Sequence, residues 1–419
     1  MEVLKTTHGV QNYSFIAPYK NPLILKNSIP APTLNKPDTL KLSSVQSADK
    51  SLNLKQFDRE ISYATQTRLT TNNKTEILID GQSAFKSMHE LLDSAKESIN
   101  MSMYIFSDDK TAWNIAERLV KKAKQGVKVN LLVDAVGIQG YSDIIFNYLK
   151  CAGVNLIINN VPKFSEITRI DKRDHNKIVV VDGQTAMTGG MNVADEYENK
   201  WHDMMVKIKG EAVNEIQKNF IRNWEISGGK IENKEKLLPP VKQYYGNLGT
   251  RVVQTNETSY NIKNTVFNAI DSAKKSINIE VAYFGDAELV GKLINAAKRG
   301  VKVKIILPKV SDVKIADMAA QYYFDKMLKA GIDVYLYTDR ILHTKAVSVD
   351  GVWATVGSAN MDCRAFDTNR EMNVAFSDPK TVKELDEKLF EKDFNTCEKL
   401  QQYKPSVLNR IIHFFEKMI

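Results

Sequence analysis

Residues 342–374 read LHTKAVSVDGVWATVGSANMDCRAFDTNREMNV, and an earlier stretch, residues 174–206, reads DHNKIVVVDGQTAMTGGMNVADEYENKWHDMMV. The two stretches align without a gap at a constant offset of 168 residues (343 − 175). Six polar or glycine positions match, and they are His175 with His343, Lys177 with Lys345, Asp182 with Asp350, Gly189 with Gly357, Asn192 with Asn360, and Asp203 with Glu371. So many matches within one short stretch indicate two half-sites of a single active centre.

The duplication extends well beyond these two stretches. Residues 93–108 (DSAKESINMSMYIFSD) resemble residues 271–286 (DSAKKSINIEVAYFGD), and a segment containing GVKV follows in each half. In both halves, short apolar runs alternate with segments whose apolar residues recur at helical spacing. This alternation predicts an α/β fold with two similar domains, each a mixed, largely parallel sheet flanked by helices.

Composition sets the expected domain boundaries. Residues 1–73 contain five of the 11 prolines within a single 20-residue window, which predicts a partly irregular N-terminal arm because proline fixes φ and removes a donor. Residues 230–249, with Pro239 next to Pro240, predict a linker. The first domain is then expected at 74–229 and the second at 250–400.

The last segment, 401–419, predicts an amphipathic C-terminal helix. Its final residues, SVLNRIIHFFEKMI, form one broad apolar stripe and one polar face, with Ser406 as a good N-cap. Such a helix either packs on its own domain or lies at a membrane interface as an anchor. We expect it to hold a cytoplasmic protein peripherally on an anionic membrane surface.

Bulk composition limits the classes of function. The 419-residue chain is 43% hydrophobic, which is typical of globular domains with their own cores. Its formal net charge of +8 favours a polyanionic partner, either a nucleic acid or an anionic lipid surface, although lysines also serve solubility. The three cysteines form no CxxC pair, which argues against a disulfide framework or zinc site. We find no signal-peptide pattern and no apolar run of the ~18–20 residues that a membrane span needs.

Each HxK motif predicts a strand that ends in an Asp-Gly hairpin turn. The histidine and the lysine share one face of that strand, because side chains two residues apart point the same way. Small residues at the end of the following strand allow a ligand to approach the backbone closely, and an asparagine comes just beyond. The groups expected to bind a substrate phosphate are therefore Lys177, Lys345, Asn192, Asn360, Gly190 and Ser358.

Paired histidines, lysines and amides suit chemistry at a phosphate. One imidazole can attack phosphorus while the other protonates the leaving alkoxide, since histidine titrates near neutral pH. Lysines and asparagine amides donate to phosphate oxygens. A carboxylate 28 residues beyond each histidine (203 − 175) is placed to orient an imidazole, as in a catalytic triad. The predicted catalytic residues are His175, His343, Lys177, Lys345, Asp203 and Glu371.

Other roles for these residues are less consistent with the sequence. Asp182 and Asp350 lie in the Asp-Gly turns and are expected to hold local structure, by turn chemistry. Metal binding is disfavoured because a lysine two residues after each histidine would repel a cation. A purely structural histidine is also disfavoured, because two of only six histidines occupy equivalent motif positions.

The doubled HxK(x)4D motif, followed by GG or GS and an asparagine, resembles the phospholipase D superfamily over residues 74–400. Within it the chain is most similar to bacterial cardiolipin synthases, through HNKIVVVDGQTAMTGGMNVADEY, the Trp201-His202-Asp203 segment, and LHTKAVSVDGVWATVGSANMDCRAF with Asn369. The resemblance implies an active site at the interface of the two domains and a covalent phosphohistidine intermediate. It also implies His175 as nucleophile and His343 as acid–base, with no metal and no organic cofactor.

The predicted function is phosphatidyl transfer of the cardiolipin synthase type, from two molecules of phosphatidylglycerol to cardiolipin plus glycerol. Alternatives are hydrolysis of a phospholipid to phosphatidic acid, cleavage of a nucleic acid by a phosphodiesterase of the same superfamily, and an inactive lipid-binding scaffold. A transferase should have an apolar entrance near the paired histidines. A nuclease should instead have a long basic groove with aromatic side chains that stack on bases.

Overall fold

Two β-sheets, one built mainly from each half of the chain, organise the computed structural model, which describes residues 51–161 and 172–414. The elements of the first half are α1 (Leu54–Thr65), β1 (Leu69–Thr70), β2 (Asn73–Ile79), α2 (Asp80–Ser94), β3 (Ser98–Met103), α3 (Lys110–Lys124), β4 (Lys128–Asp134), α4 (Asp143–Cys151), β5 (Asn155–Asn159), β6 (Ile178–Val181), β7 (Thr185–Gly189), α5 (Asp195–Asn199), β8 (Met204–Gly210) and α6 (Glu211–Ile226). A 3₁₀ turn at Lys234–Leu237 lies in the segment expected to be a linker.

The second half repeats this order of elements. They are β9 (Gly249–Asn256), β10 (Ser259–Tyr260), α7 (Asn261–Ser272), β11 (Ser276–Val281), β12 (Phe284–Gly285), α8 (Ala287–Lys298), β13 (Lys302–Pro308), α9 (Lys314–Lys329), β14 (Asp333–Tyr337), β15 (Lys345–Val349), β16 (Trp353–Gly357), β17 (Met361–Asp362), α10 (Cys363–Asp367), β18 (Glu371–Ser377), α11 (Pro379–Leu385), a π-helical turn (Asp386–Phe390), α12 (Glu391–Thr396), β19 (Glu398–Lys399) and α13 (Val407–Phe414).

The two sheets share one topology. The first has the strand order β2-β8-β7-β6-β3-β4-β5, and the second has the order β1-β9-β18-β16-β15-β11-β13-β14-β19 with β10 beside β9. From β8 to β5 the first order matches the second from β18 to β14, strand for strand. The predicted α/β fold, with two similar regions built on mixed sheets and flanked by helices, is confirmed.

The expectation that parallel pairing would predominate needs correction. Parallel pairs join β3 to β4 and β4 to β5, and in the second sheet β11 to β13 and β13 to β14. The other neighbours within these two sheets are antiparallel. The reason lies in the Asp-Gly turn, where Asp182 (φ 53°) and Gly183 (φ 62°) both adopt positive φ and reverse the chain between β6 and β7.

The two sheets meet in a shared apolar core. Val180 and Met204 of the first half and Val356 and Met372 of the second half belong to one cluster of fully buried side chains. Burial of each such side chain is worth roughly 1.5–3 kcal/mol, so the cluster fixes how the halves sit against each other. The described residues, 51–161 and 172–414, accordingly belong to a single compact unit.

Part of the predicted N-terminal arm is regular structure. Asn53 caps α1 by accepting a hydrogen bond from the backbone of Gln56. Phe57 and Ile61 of α1 pack into the core of the second half, where the Phe57 ring lies 5.7 Å from the ring of Trp353. The proline-rich portion, residues 1–50, and the end of the predicted C-terminal helix, residues 415–419, lie outside the described residues.

Backbone hydrogen bonds join the halves beside the two HxK motifs. The amide of His175 donates to the carbonyl of Arg370 (2.9 Å), which directly precedes Glu371. In the same way, the amide of His343 donates to the carbonyl of His202 (2.7 Å), which directly precedes Asp203. Each motif histidine is therefore anchored next to the carboxylate of the opposite half.

Candidate active site

The histidines and carboxylates pair across the two halves. Nδ1 of His175 lies 2.9 Å from Oε1 of Glu371, and Nδ1 of His343 lies 2.6 Å from Oδ2 of Asp203. The sequence predicted that these carboxylates orient an imidazole, but not that the partners are exchanged. The exchange follows from the two backbone hydrogen bonds that join the halves. Each bond places a motif histidine beside the residue that directly precedes the carboxylate of the other half.

A carboxylate at Nδ1 determines which ring nitrogen can react. The carboxylate favours a proton on Nδ1, so the lone pair is left on Nε2. At His343 the ammonium of Lys345 also lies 3.0 Å from Nδ1, but the carboxylate oxygen of Asp203 is closer, at 2.6 Å, and can only accept a hydrogen bond, so Nδ1 donates to it. We therefore assign Nε2 as the reactive atom of both rings.

Both motif lysines are buried with their charged ends inside the site. Lys177 is 0% exposed and Lys345 is 1% exposed. Nζ of Lys177 donates to the carbonyl of His175 (2.8 Å), and Nζ of Lys345 donates to the carbonyl of His343. Burial lowers the pKa of Lys177 to about 7 and that of Lys345 to about 8. An arriving anion would restore both ammonium charges, so the site is suited to a phosphate.

The histidines are held in the neutral form. Burial, together with the charges of Lys177 and Lys345, lowers the pKa of His175 well below 6.5. Burial and Lys345 also lower the pKa of His343, although Asp203 opposes this shift. A neutral imidazole is the nucleophilic form, so burial keeps both rings in the form that can attack. A bound phosphate would raise these pKa values and allow one ring to act as an acid.

Small residues beside the carboxylates have a role different from the predicted one. Oγ of Ser358 donates to Oε2 of Glu371 (2.5 Å), and Nδ2 of Asn369 donates to Oε1 (3.2 Å). At Gly190, the equivalent of Ser358, a Cβ atom would collide with the carboxylate of Asp203. Gly190 and Ser358 were predicted to contact the substrate phosphate, yet in the structure they lie against the carboxylates that orient the histidines.

The two motif asparagines are used differently. Oδ1 of Asn192 accepts from the amide of Ile105 (2.9 Å), and its Nδ2 donates to the hydroxyl of Tyr197 (2.8 Å). The ring of Tyr197 in turn lies 5.1 Å from that of His343. Asn360 instead lines the cavity next to His175. Of the two motif asparagines, both predicted to bind phosphate, Asn360 is the one that lines the cavity.

The aspartates of the two Asp-Gly turns hold the backbone. Oδ1 of Asp182 accepts from the amides of Glu97 and Ser98, each at 2.8 Å. Asp350 binds the equivalent amides of residues 274–276 and also accepts from Leu52 (2.7 Å). These contacts fix the start of β3 and β11 next to the hairpins that carry the histidines, which is the local role the turn chemistry predicts.

A cavity opens beside His175 at the junction of the halves. Its empty volume is about 720 Å³, counting its open mouth. Its lining combines apolar side chains with charged and amide groups. Its lining residues are Arg173, His175, Tyr283, Phe284, Gly285, Val313, Ala316, Ala319, Asn360, Asp362, Arg364 and Asn369. An apolar wall near the paired histidines is the feature that the sequence analysis required of a lipid transferase.

Sequence reasoning missed a buried ionic cluster around His202. Nδ1 of His202 lies 2.7 Å from Asp80, and its Nε2 lies 3.0 Å from Asp393 and 3.4 Å from Glu280. Among the described residues, His202, Glu280 and Asp393 are the group that could hold a metal ion. Burial opposes a charge on His202, but hydrogen bonds with the three carboxylates outweigh it and raise its pKa well above 6.5. An imidazolium does not ligate a metal, so this geometry favours an ionic clamp between the halves.

Two sheets of repeated topology, with paired HxK motifs and carboxylates exchanged between the halves, define a phospholipase D-type enzyme. The family model described as "Cardiolipin synthase, PLD-like domain" matches residues 88–224 and 266–394. The chain therefore belongs to this PLD-like cardiolipin synthase family, within the phosphatidyltransferases and phosphodiesterases of the phospholipase D superfamily.

Individual relatives agree with this assignment. The chain is 34% identical over 395 residues to the cardiolipin synthase of Clostridium perfringens (strain SM101 / Type A), covering 88% of this chain and 80% of the relative. It is 33% identical over 366 residues to cardiolipin synthase 1 of Bacillus cereus, covering 82% and 72%. Its fold is similar to the crystal structure of phosphatidylserine synthase from Haemophilus influenzae Rd KW20, with a TM-score of 0.64, 16% identity, and coverage of 87% and 97%.

Proposed function

We propose that the protein is a phosphatidyltransferase of the cardiolipin synthase type, which converts two molecules of phosphatidylglycerol to cardiolipin and glycerol through a phosphohistidine intermediate. The observation that carries the proposal is the exchanged pairing of His175 with Glu371 and of His343 with Asp203. It supplies two imidazoles with oriented Nε2 atoms at one site, one neutral for attack on phosphorus and one that takes up a proton when the phosphate binds. The cardiolipin synthase relatives support the lipid class of the substrate.

In the first step, Nε2 of His175 attacks the phosphorus of the donor lipid. A P–N bond forms and the bond from phosphorus to the glycerol head group breaks. The protonated Nε2 of His343 gives its proton to the departing alkoxide, which leaves as glycerol. Lys177, Lys345 and Asn360 stabilise the charge that develops on the phosphoryl oxygens.

In the second step, the hydroxyl group of a second phosphatidylglycerol gives its proton to Nε2 of His343. Its oxygen forms a bond to phosphorus while the P–N bond to His175 breaks. Both histidines return to their starting states, and the product is cardiolipin. With water as the acceptor, the same step would give phosphatidic acid, so exclusion of water decides between transfer and hydrolysis.

A direct assay tests this reaction. The purified protein is incubated with labelled phosphatidylglycerol, and separately with plasmid DNA, each in the presence of a chelator. We expect labelled cardiolipin and intact DNA. DNA cleavage without any lipid product would refute the proposed function and favour the nuclease alternative.

The phosphohistidine step has its own test. His343→Asn removes the group that activates the acceptor in the second step. With a labelled phosphatidyl donor whose leaving group is nitrophenol, and which therefore needs no acid in the first step, we expect labelled phosphatidyl groups to accumulate on this variant. His175→Asn removes the nucleophile, so no label should attach. Labelling of the His175→Asn variant but not of His343→Asn would reverse the two roles.

We further propose that the protein binds the surface of anionic membranes through α13. This helix packs on α9 by its polar side, where Nδ2 of Asn409 donates to the carbonyl of Met318 (3.0 Å). Its apolar side chains point outward, with Val407 74%, Leu408 51% and Ile411 52% exposed. Packing on its own domain and binding at a membrane interface are therefore compatible for this helix. It docks on α9 and still presents exposed apolar side chains to a membrane.

The position of α9 supports this membrane proposal. Ala316 and Ala319 of α9 line the cavity beside His175, and Ile315 near the start of the same helix is 45% exposed. The exposed apolar residues and the cavity wall thus lie on one pair of packed helices, which suits a lipid moving from a bilayer to the site. Within the described ranges, 51–161 and 172–414, no helix is both long enough and apolar enough to cross a bilayer.

Vesicle flotation tests the membrane proposal. The triple variant Val407→Ser, Leu408→Ser and Ile411→Ser keeps Asn409 and should lose most of its binding to phosphatidylglycerol vesicles. Tyr63→Ser serves as the control, because Tyr63 is 84% exposed on α1 and should not affect binding. Equal flotation of the triple variant and the control would rule out α13 as the membrane contact.

A further inference from the structure

Transfer between two phosphatidylglycerol molecules brings two phosphodiesters into one cavity. The motif lysines and Asn360 serve the phosphorus that reacts. The acceptor carries a second phosphodiester, three carbons away from its reacting hydroxyl, and this group also needs a cationic partner in a buried site. The inference that follows rests on the proposed function and concerns the residues that receive this second anion.

Two arginines from opposite halves line the cavity beside His175. Arg173 lies two residues before His175, and its carbonyl accepts a hydrogen bond from the amide of Arg370 (2.9 Å), which fixes its backbone. Nε of Arg173 is buried and makes no hydrogen bond to any described residue. Arg364 comes from the first turn of α10, on the other side of the junction.

The charges of both arginines act on the same ring. Burial raises the pKa of Tyr104, and the positive charges of Arg173 and Arg364 both oppose that rise. The ring of Tyr104 lies 4.9 Å from the ring of His175. Both arginines line the cavity that His175 also lines, and neither of them belongs to an HxK motif.

The charge balance of this part of the cavity fits one phosphodiester. The cavity lining includes one carboxylate, Asp362, whose Oδ1 caps α10 by accepting from the amide of Ala365 (2.8 Å). The cavity lining thus carries two guanidinium groups and one carboxylate, so it favours an anionic group such as a monoanionic diester. Guanidinium groups also bind phosphate oxygens in a bidentate manner.

We propose that Arg173 and Arg364 bind the phosphodiester of the acceptor lipid and so direct its terminal hydroxyl to the phosphohistidine. The apolar wall formed by Phe284, Val313 and Ala316 then receives the glyceride part of the same lipid. This subsite favours an anionic lipid alcohol over water and over uncharged alcohols. It makes the choice of acceptor a property of residues outside the duplicated motif.

The test is a competition between acceptors in one reaction. Labelled phosphatidylglycerol is supplied with ethanol, so that cardiolipin, phosphatidylethanol and phosphatidic acid are measured together. In the double variant Arg173→Gln and Arg364→Gln, we expect the ratio of cardiolipin to phosphatidylethanol to fall at least about tenfold, as for loss of a charged hydrogen bond. Arg173→Lys and Arg364→Lys keep the charge and should restore part of the ratio.

Controls separate this inference from the proposed function. Arg68→Gln removes a surface arginine that is 69% exposed in its side chain and should leave the product ratio unchanged. If the wild-type protein makes neither cardiolipin nor phosphatidylethanol, the proposed function itself fails. If the double variant lowers both products equally, or leaves their ratio unchanged, the arginines do not select the acceptor.

Discussion

The two half-sites carry the same motif but surround their histidines differently. His343 is enclosed by aromatic rings, since the rings of Tyr197 and Trp201 lie 5.1 Å and 5.4 Å from its own. His175 borders the open cavity next to Arg173. A reacting phosphorus therefore has more room at His175, which agrees with its proposed role as nucleophile.

The orienting carboxylates differ in the same way. Glu371, which serves His175, receives hydrogen bonds from Ser358 and Asn369. Asp203, which serves His343, is shorter and comes close to the backbone because Gly190 has no side chain. The comparison teaches that duplication supplies the same groups twice, while their neighbours give each copy its own task.

The largest expected effect separates the two histidines. His175→Ala should lower phosphatidyl transfer by at least about 10⁴-fold, because it removes the proposed nucleophile. His343→Ala should lower it by about 10²–10⁴-fold, the usual contribution of acid–base catalysis. A phosphodiester with a nitrophenol leaving group needs no acid in the first step. With that substrate, His343→Ala should retain a burst of nitrophenolate and His175→Ala should not.

The opposite pattern would assign the roles the other way round. A burst from His175→Ala without one from His343→Ala would make His343 the nucleophile. A burst from neither variant would show that the acid is needed even for a good leaving group. Far-ultraviolet circular dichroism of both variants confirms that the fold is intact.

Gly190→Ala should have the next largest effect. The added Cβ would push the carboxylate of Asp203 away from His343. A misplacement near 1 Å can lower a rate by about 10²-fold, so we expect a loss of that size in kcat. Gly291→Ala is the matched control, because a Cβ there meets no atom within 4 Å. Equal activity of the two variants would mean that Asp203 tolerates displacement.

A third contrast concerns the residue before each carboxylate. His202 precedes Asp203 and binds three carboxylates, whereas Arg370 precedes Glu371 and pairs with Glu257 (2.5 Å). The pKa of His202 is raised in the folded protein, so its stabilisation is fully present below pH 6.5 and is lost as pH rises through its folded pKa. The stability of the contacts beside Asp203 thus depends on a cation that titrates, His202. The contacts beside Glu371 depend on a permanent cation, Arg370.

His202→Gln should therefore lower the free energy of unfolding by about 3 kcal/mol near pH 6, as for a broken buried ion pair. The difference from the wild type should shrink as pH rises. Urea unfolding at a series of pH values measures this effect, and Arg370→Gln is the control whose difference should stay constant over the same range. A constant difference for His202→Gln would mean that its charge does not hold the cluster.

The sequence was sufficient to predict the duplicated fold, and it marked the histidines, lysines and carboxylates that the structure brings together, because these occupy matched positions in both halves. It could not predict that Glu371 serves His175, since each carboxylate lies equally far along the chain from its own histidine. It also did not mark Arg173 and Arg364, whose equivalents at the same offset are Ile341 and Glu196. The repeat identifies the residues that the two halves share. The residues that distinguish the halves are recognised only from their tertiary contacts.

The smallest expected effect is on the pH dependence of the nitrophenolate burst, which reports attack by His175. Burial raises the pKa of Glu371 to about 8, and the hydrogen bond from Ser358 opposes that rise. Ionised Glu371 stabilises the positive charge that forms on His175 during attack, so the rate of the nitrophenolate burst should increase with pH through this value.

Ser358→Ala should move that rise to higher pH by about 0.7 of a pH unit, since one hydrogen bond is worth about 1 kcal/mol. At pH 7 the burst should therefore slow only a few-fold, far less than for Gly190→Ala at the equivalent position. Stopped-flow measurement of the burst from pH 6 to 9.5 gives both values. A rise that stays in place, or moves to lower pH, would mean that Ser358 does not act through Glu371, and the proposed difference between the two orienting carboxylates would then rest on Gly190 alone.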